Sequence, residues 1–404
     1  MTIRICGDVK MAKLIEITGK ALSGEWGTDD ETGNGIPVLR TTNFTNEGIV
    51  DYSNVVTRNI VKKGIEEKYL RNGDIIIEKS GGSDKQPVGR VIYFDGPERT
   101  YLFNNFTGLL RVKNQEKWHP RYVFYSLFSN YRSGGTRTFQ NKTTGLHNLK
   151  TDDYVSSFNV TEVDIVTQKA ICKQLDLVNG IIRMRQQQLQ KLDNLVKARF
   201  VELFGDPVTN PKGWTTKPLL DMGYCKNGMN FHAGESGMEV NCLGVGDFQN
   251  LSVMDGTAHL PVISLNEAPP EESMLRDGDI VFVRSNGNKA LVGRCLVVYP
   301  RNTPTTYSGF CIRYRLTSNE VDRTYLLRVL KTDSIRKKMA GRGANIQNLN
   351  QQILAALDIP LPPNEQQQQF AAFVKQTDKS KVVIQKALDE AQLLFDSLMQ
   401  KYFG

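Results

Sequence analysis

Long apolar runs are missing from this chain. None approaches the ~18–20 residues that a membrane-spanning helix needs, and the mean hydropathy is -0.37. Residues 1–10 hold no apolar stretch of the kind a secretory signal requires, so the expected location is the cytoplasm. Histidine is scarce, with four in 404 residues. His119, His147, His232 and His259 stand apart, without an H-x-x-x-H pair, and no metal site is expected. The six cysteines, Cys6, Cys172, Cys225, Cys242, Cys295 and Cys311, include no C-x-x-C pair. That excludes the spacing of a zinc site or a thioredoxin-like dithiol, and scattered thiols suit a reducing compartment.

Catalytic signatures are missing as well. A phosphate-cradling loop needs G-x-x-x-x-G-K-[ST]. The echo at Gly19-Lys20-Ala21 lacks both the hydroxyl and the first glycine, whose place Leu14 takes. No G-x-G-x-x-G follows a strand-like run to hold a dinucleotide or S-adenosylmethionine. An adenine amino-methyltransferase would carry Asn or Asp before a Pro-Pro pair and an aromatic after it. Neither Pro269-Pro270 nor Pro362-Pro363 does. Asp152-Asp153 and Glu271-Glu272 read as solvated loop charges. No catalytic residue is expected, and no cofactor bound by this chain.

A duplication, by contrast, is plainly present. Arg71-Asn72-Gly73-Asp74-Ile75-Ile76-Ile77-Glu78-Lys79-Ser80 aligns with Arg276-Asp277-Gly278-Asp279-Ile280-Val281-Phe282-Val283-Arg284-Ser285. Val88-Gly89-Arg90 matches Val292-Gly293-Arg294, the Asn148-Leu149 pair matches Asn348-Leu349, and Phe204-Gly205 matches Phe403-Gly404. A repeat of roughly 200 residues makes the chain two copies of one unit, since self-similarity at a fixed period marks a repeated structural unit.

Each copy ends in a long helix. Ile171, Leu175, Val178, Ile182, Arg185, Leu189, Leu192, Val196, Arg199 and Leu203 follow alternating steps of four and three, the a/d seam of a coiled coil. Phe370, Val374, Thr377, Lys381, Ile384, Leu388, Ala391, Phe395, Leu398 and Tyr402 repeat the same steps. Asn364 with Gln367 is a candidate capping pair after Pro362-Pro363, and Gly205 with Asp206-Pro207 stops the first helix. At 1.5 Å per residue each helix spans about 55 Å. A seam so narrow and long wants a partner helix, and the other copy supplies one. Arg185, Arg199, Thr377 and Lys381 interrupt it and would help set register.

Ahead of each helix the pattern is mixed. Residues 37–40, 74–78 and 89–94 are strand-like, separated by Asn-Gly and Gly-Gly turns. Residues 121–131 put Val123, Phe124, Leu127, Phe128 and Tyr131 on one helical face, and Tyr325, Leu326, Leu330 and Ile335 do so in the second copy. The expected class is α+β (mixed α/β), with the two long helices pairing as an antiparallel coiled coil. The expected divisions are 1–160, a first helix over 161–206, 207–360, and a second helix over 361–404.

Net charge is +8, from 51 Lys+Arg against 43 Asp+Glu, compatible with a polyanionic partner. Two polar, glycine-containing loops recur in each copy. The first carries Lys79, Ser80 and Lys85, matched by Arg284, Ser285, Asn286 and Lys289. The second carries Lys142, Thr143, Thr144, His147 and Asn148, matched by Arg342, Asn345, Gln347 and Asn348. Arg and Lys suit guanine O6/N7, Asn and Gln suit adenine N6/N7, and a Thr methyl can meet the thymine methyl. These residues are candidate DNA contacts; read otherwise, they are ordinary hairpin turns. Residues 328–342 carry six basic side chains, Arg328, Lys331, Arg336, Lys337, Lys338 and Arg342, a candidate phosphate-contact stretch. Arg90 and Arg294 read equally well as structural.

Two α/β copies, each followed by a long helix, resemble the specificity subunit of type I restriction-modification systems. The likeness rests on Phe204-Gly205-Asp206-Pro207-Val208-Thr209-Asn210-Pro211-Lys212-Gly213-Trp214, the Gly-Asp-Ile strand starts, the Asn-Leu turns, and Ile359-Pro360-Leu361-Pro362-Pro363 leading to Glu365-Gln366. In the first copy Val160-Thr161-Glu162-Val163 replaces that proline-rich approach. The resemblance implies two tandem target recognition domains that read double-stranded DNA, each a half-site, with the helices as a spacer. It implies as partners two adenine-N6 methyltransferase subunits and two restriction/translocase subunits. S-adenosylmethionine, ATP and Mg would sit on those partners.

Overall fold

The computed structural model describes residues 10–84, 86–143, 146–232, 234–248, 251–340 and 348–404, with backbone alone at 142, 143, 146 and 340. The chain forms two compact units. One holds the chain up to Gln186 together with Lys386–Gly404, and the other is Gln187–Gln385. The class is mixed α and β. Eight α-helices lie among the described residues: α1 Leu14–Thr18, α2 Pro120–Arg132, α3 Thr151–Ser157, α4 Ile165–Phe204, α5 Arg323–Leu330, α6 Asp333–Ala340, α7 Gln351–Ala355 and α8 Asn364–Phe403. The seam-bearing helices α4 and α8 are 40 residues each, and each contributes one part to each unit.

In the first unit the run Ile75-Ile76-Ile77 explains the central sheet. Strand Ile75–Glu78 pairs antiparallel with Thr107–Leu110 on one side and Val91–Tyr93 on the other. Successive side chains point to opposite faces. Ile75, Ile77 and Val91 face a core built with α2 and α4, while Ile76, Ile92 and Leu109 face a second core with Leu39 and Phe103. A sheet buried on both faces needs an unbroken apolar run rather than an alternating one.

The second unit repeats the scheme with Asp279–Val283 between Cys311–Leu316 and Cys295–Tyr299. Ile280 and Phe282 join the core with α5 and α8, and Val281 and Val283 join the opposite one.

The repeated Gly-Asp pair is the turn into this strand. Gly73 and Gly278 have φ of 93° and 88°, values that glycine adopts without penalty. Asp74 accepts from the Arg71 N–H at 2.8 Å and from Arg111 Nε and Nη2 at 2.7 and 2.6 Å. Asp279 accepts from the Arg276 N–H at 2.7 Å and from Arg315 Nε and Nη2 at 2.8 and 2.7 Å.

Each unit is closed by a short antiparallel strand pair that joins its start to the chain just before its long helix. In the first unit Met11–Lys13 pairs with Asn159–Thr161, and in the second Thr216–Pro218 pairs with Asp358–Pro360. In the first copy the pairing strand occupies 159–161, and α4 starts at Ile165.

Every predicted seam position on α4 and α8 is buried or half-buried. In the first unit Ile171, Leu175, Val178 and Ile182 share a core with Ala391, Phe395 and Tyr402, and Tyr402 donates to Gln174 Oε1 at 2.8 Å. In the second unit Lys381 meets Asp193 at 2.7 Å, and Phe370 meets Phe200 and Phe204, so the two helix segments there run antiparallel.

Three expectations change. Phe200, Phe204 and Met399 are buried beside the seam, because the helices also pack on the globular parts: Phe204 stands edge-on to Tyr325 at 4.8 Å. Arg199 pairs with Glu202 on its own helix rather than across the seam. Gln367 does not close a capping box on Asn364. It is fully buried, donates to the Pro362 and Glu320 carbonyls and accepts the Asp322 N–H. Gln168 does the same in the first unit, accepting the His119 N–H and donating to the Lys117 and Val163 carbonyls.

Candidate nucleic-acid interface

The central strand of each unit delivers a basic residue at its carboxyl end: Lys79 after Ile75–Glu78, and Arg284 after Asp279–Val283. Beyond it the chain leaves the core. Ser80–Gly82 becomes the edge of a three-stranded antiparallel sheet completed by the hairpin of Gln140–Thr143 and Leu146–Leu149. His147 lies opposite Gly82 and Asn148 opposite Ser80, and the Leu149 N–H donates to the Lys79 carbonyl at 2.8 Å. The second unit keeps the same contact in reduced form. Ser285 bridges Asn348, and the Leu349 N–H donates to the Arg284 carbonyl at 2.8 Å. Two stretches selected separately in the sequence are thus joined side by side, at matching positions, in both units.

A third stretch, which the sequence reading missed, completes each cluster. The carbonyl of Phe106 accepts the N–H groups of Lys79 and Ser80 at 2.8 and 3.3 Å, and that of Phe310 accepts those of Arg284 and Ser285 at 2.8 and 3.2 Å. Both phenyl rings are exposed, 51% and 61%. Neither ring carries a charge or a polar atom, so a search for hydrogen-bonding types passes over them. The signal that could have found them is the repeat, which sets Phe106 against Phe310 inside turns of Asn, Ser and Gly.

The side chains divide into engaged and presented groups. Lys79 is half-buried and donates to Ser23 Oγ at 3.0 Å. Burial pushes its pKa below the usual lysine range, with Asp152 acting against the shift. Arg284 Nη1 reaches the Gly309 carbonyl at 3.3 Å. His147 Nε2 lies 3.3 Å from Asp84 Oδ1. Asn286 accepts the Asn288 N–H at 2.8 Å, which shapes its turn. Lys289 and Asn348 are exposed, while Ser80, Asn148 and Ser285 are half-buried. Lys85, Thr144, Arg342, Asn345 and Gln347 lie outside the described residues, and so do the side chains of Lys142 and Thr143.

Within 328–340 the basic groups are less available than the sequence suggests. Lys331 donates to the Leu251 carbonyl and Ser252 Oγ, and Arg336 donates to the Ala290 and Val292 carbonyls. Burial pulls the pKa of Arg328, Lys331 and Arg336 down. Lys337 and Lys338 remain exposed. Arg90 is held by Glu78 at 3.1 and 3.0 Å and by the Phe44 and Thr41 carbonyls, a structural arrangement.

Chemically, each cluster offers cationic, amide, hydroxyl and backbone N–H groups, on a sheet edge in the first unit and beside a single bridge in the second, the donor set that meets phosphates and base edges. Burial raises the thiols of Cys172, Cys225, Cys242 and Cys311 to about 12 and that of Cys295 to about 11. These five thiols stay protonated. Among the described residues no cluster of His, Cys, Asp and Glu is placed to hold a metal ion, and no helix is long and apolar enough to cross a membrane.

Comparison with known proteins agrees with this duplicated architecture. A family model described as type I restriction modification DNA specificity domain matches the chain twice, over residues 7–194 and 211–392. The chain is 25% identical over 393 residues to the type I restriction enzyme StySPI specificity subunit of Salmonella potsdam, covering 90% of this chain and 80% of that one. It is 22% identical over 399 residues to the type I restriction enzyme EcoKI specificity subunit of Escherichia coli (strain K12), with the same coverage of 90% and 80%. The fold matches the crystal structure of the type I restriction-modification system S subunit from M. genitalium with a TM-score of 0.58 at 14% identity, over 100% of this chain and 98% of that one.

Proposed function

The chain belongs to the type I restriction-modification DNA specificity family, and we propose from that premise that it is a non-catalytic DNA-reading subunit whose two units each recognise one half of a split site. The observation that carries the reading is the paired loop cluster. In each unit the Lys79/Arg284 end of the central strand, the Ser80/Ser285 edge and the Asn148/Asn348 segment are hydrogen-bonded into one surface. The two clusters differ in side chains, His147 and Lys79 in one and Arg284 and Asn286 in the other. Two unlike readers on one chain suit an asymmetric target, whereas two identical ones would suit a palindrome.

Methyl transfer, ATP-driven translocation and cleavage then belong to partners: two adenine-N6 methyltransferase subunits and two restriction/translocase subunits, with S-adenosylmethionine, ATP and Mg bound there. The long helices support a protein-docking role. In the first unit Leu177, Met184 and Leu393 are 66%, 56% and 73% exposed, and in the second Val382 and Val383 are each 69% exposed. Exposed apolar side chains on these helices are surface that a docked partner would cover. The test is purified chain with duplex DNA and S-adenosylmethionine, with and without a methyltransferase partner, read by sequencing methylated adenines. Methylation at a split site only with the partner is expected. Methyl transfer by the chain alone would make it a self-contained enzyme, and partner methylation without sequence preference would make it a scaffold.

A further inference from the structure

Resting on that reading, we propose that Phe106 and Phe310 are aromatic wedges, one for each half-site, that enter the base stack of the bound DNA. Three observations converge on these rings. Of the 18 phenylalanines they are the two most exposed, at 51% and 61%. They occupy the same place in both units, although every flanking residue differs: Asn104, Asn105, Thr107 and Gly108 in one, Ser308, Gly309, Cys311 and Ile312 in the other. The rings are also carried on hydrogen-bonded turns. Thr107 Oγ1 donates to the Asn104 carbonyl at 2.8 Å, and the Asn104 N–H donates to Leu39. In the second unit the Cys311 N–H donates to Ser308, whose own N–H donates to Leu243, and the Gly309 N–H donates to Met229.

The surroundings select the occupant. The backbone carbonyl of each phenylalanine accepts the N–H groups of a basic residue and a serine, Lys79 with Ser80 and Arg284 with Ser285. An exposed apolar side chain on a turn whose backbone is bound to a basic residue and a serine matches a ligand with apolar faces and anionic edges, which is what stacked bases between phosphates present. An apolar side chain inserted at a base step, or filling the gap where a base has been drawn out, keeps the opened stack from collapsing.

The test uses the full chain with methyltransferase subunits and duplexes that the wild-type complex selects from a randomised double-stranded pool. Phe106→Ala should weaken binding roughly ten- to hundredfold, the range of a lost base–aromatic stack. The loss should fall on one half-site only, and the slope of log K against log salt should stay unchanged because no phosphate contact is removed. Phe106→Trp should restore binding, and Phe310→Ala should act on the other half-site. Phe106→Gln, a polar change at an exposed position, should lose binding as Ala does and guards against a folding artefact. With 2-aminopurine placed along each half-site, the fluorescence rise that reports an opened step should disappear from one half-site in Phe106→Ala.

Wild-type affinity in both Phe106→Ala and Phe106→Gln would overturn the proposal. So would a fall in the salt slope, or loss of the methyltransferase subunits on size-exclusion chromatography with DNA affinity intact. If the wild-type complex selects no duplex at all, the DNA-reading function fails, and the wedge with it.

Discussion

Removing Asp74 should destabilise the first unit severely while leaving the chemistry of DNA contact untouched. Its side chain is 2% exposed and forks Arg111, itself 22% exposed, with two hydrogen bonds. The same carboxylate closes the turn at Gly73 by accepting the Arg71 N–H. Asp74→Ala strands a guanidinium that also donates to the Glu67 and Tyr69 carbonyls. Breaking a buried pair by removing one partner costs about 3–5 kcal/mol. Partial access of water to Arg111 favours the lower figure. At about 2–4 °C per kcal/mol for a unit of this size, the melting transition should fall by roughly 6–12 °C. Asp279→Ala should cost the second unit at least as much, because Arg315 is only 12% exposed and its hydrogen bond to Asp279 raises its already high pKa. Calorimetry of each variant, with hydrogen exchange at Ile75–Glu78 and Asp279–Val283, assigns the loss to its own unit. A loss below about 1 kcal/mol would refute the reasoning, as would normal melting with damaged DNA selectivity.

Phe200→Ala opens the aromatic cluster it forms with Phe204, Tyr325 and Phe370 and should cost the second unit about 3–5 kcal/mol; denaturant unfolding showing under 1 kcal/mol would contradict the cluster. Lys381 loses charge stability to burial, but its hydrogen bond to Asp193 and the charges of Asp193 and Asp378 raise its pKa above the ordinary value. Its contribution is therefore full below about pH 10.4 and is lost as pH rises through the raised value. Because Asp193 is 54% exposed, screening holds the coupling to about 0.5 kcal/mol, and a Lys381→Met/Asp193→Asn double-mutant cycle should show that coupling at neutral pH and lose it as pH rises through the raised lysine value. A fragment of residues 1–206 lacks Ala391, Phe395, Met399 and Tyr402, which complete the core of the first unit. It should associate as a homodimer through Ile171, Leu175, Val178 and Ile182, and a monomer by light scattering would show that the halves are not interchangeable.

The duplication, the mixed class and the seams of α4 and α8 were legible in the sequence because each rests on spacing, and spacing survives divergence between copies. What the repeated words do was less legible. Gly-Asp-Ile is legible as a strand start, but not that its aspartate closes the turn and holds an arginine in both units. Lys331 and Arg336 look like phosphate ligands, but reach backbone carbonyls instead, because charge counting along a chain does not show which loops lie within reach. The loop pairs around Lys79 and Arg284 were found by residue type, but their adjacency is a product of strand pairing. Phe106 and Phe310 were missed since exposure, rather than identity, makes them unusual. Phe200 and Phe204 escaped the seam because they pack on Tyr325 of the globular part, a contact that heptad counting does not include.

The claim that each unit reads its own half of one split DNA site is tested most directly by sequencing methylated adenines made by the complex with wild-type chain, and with Arg284→Ala or Asn348→Ala. Base-edge contacts carry roughly 1–3 kcal/mol of discrimination each, so either substitution should broaden the bases accepted in one half-site and leave the other half unchanged. Equal broadening of both halves, or a single uninterrupted recognition sequence in the wild type, would contradict the account.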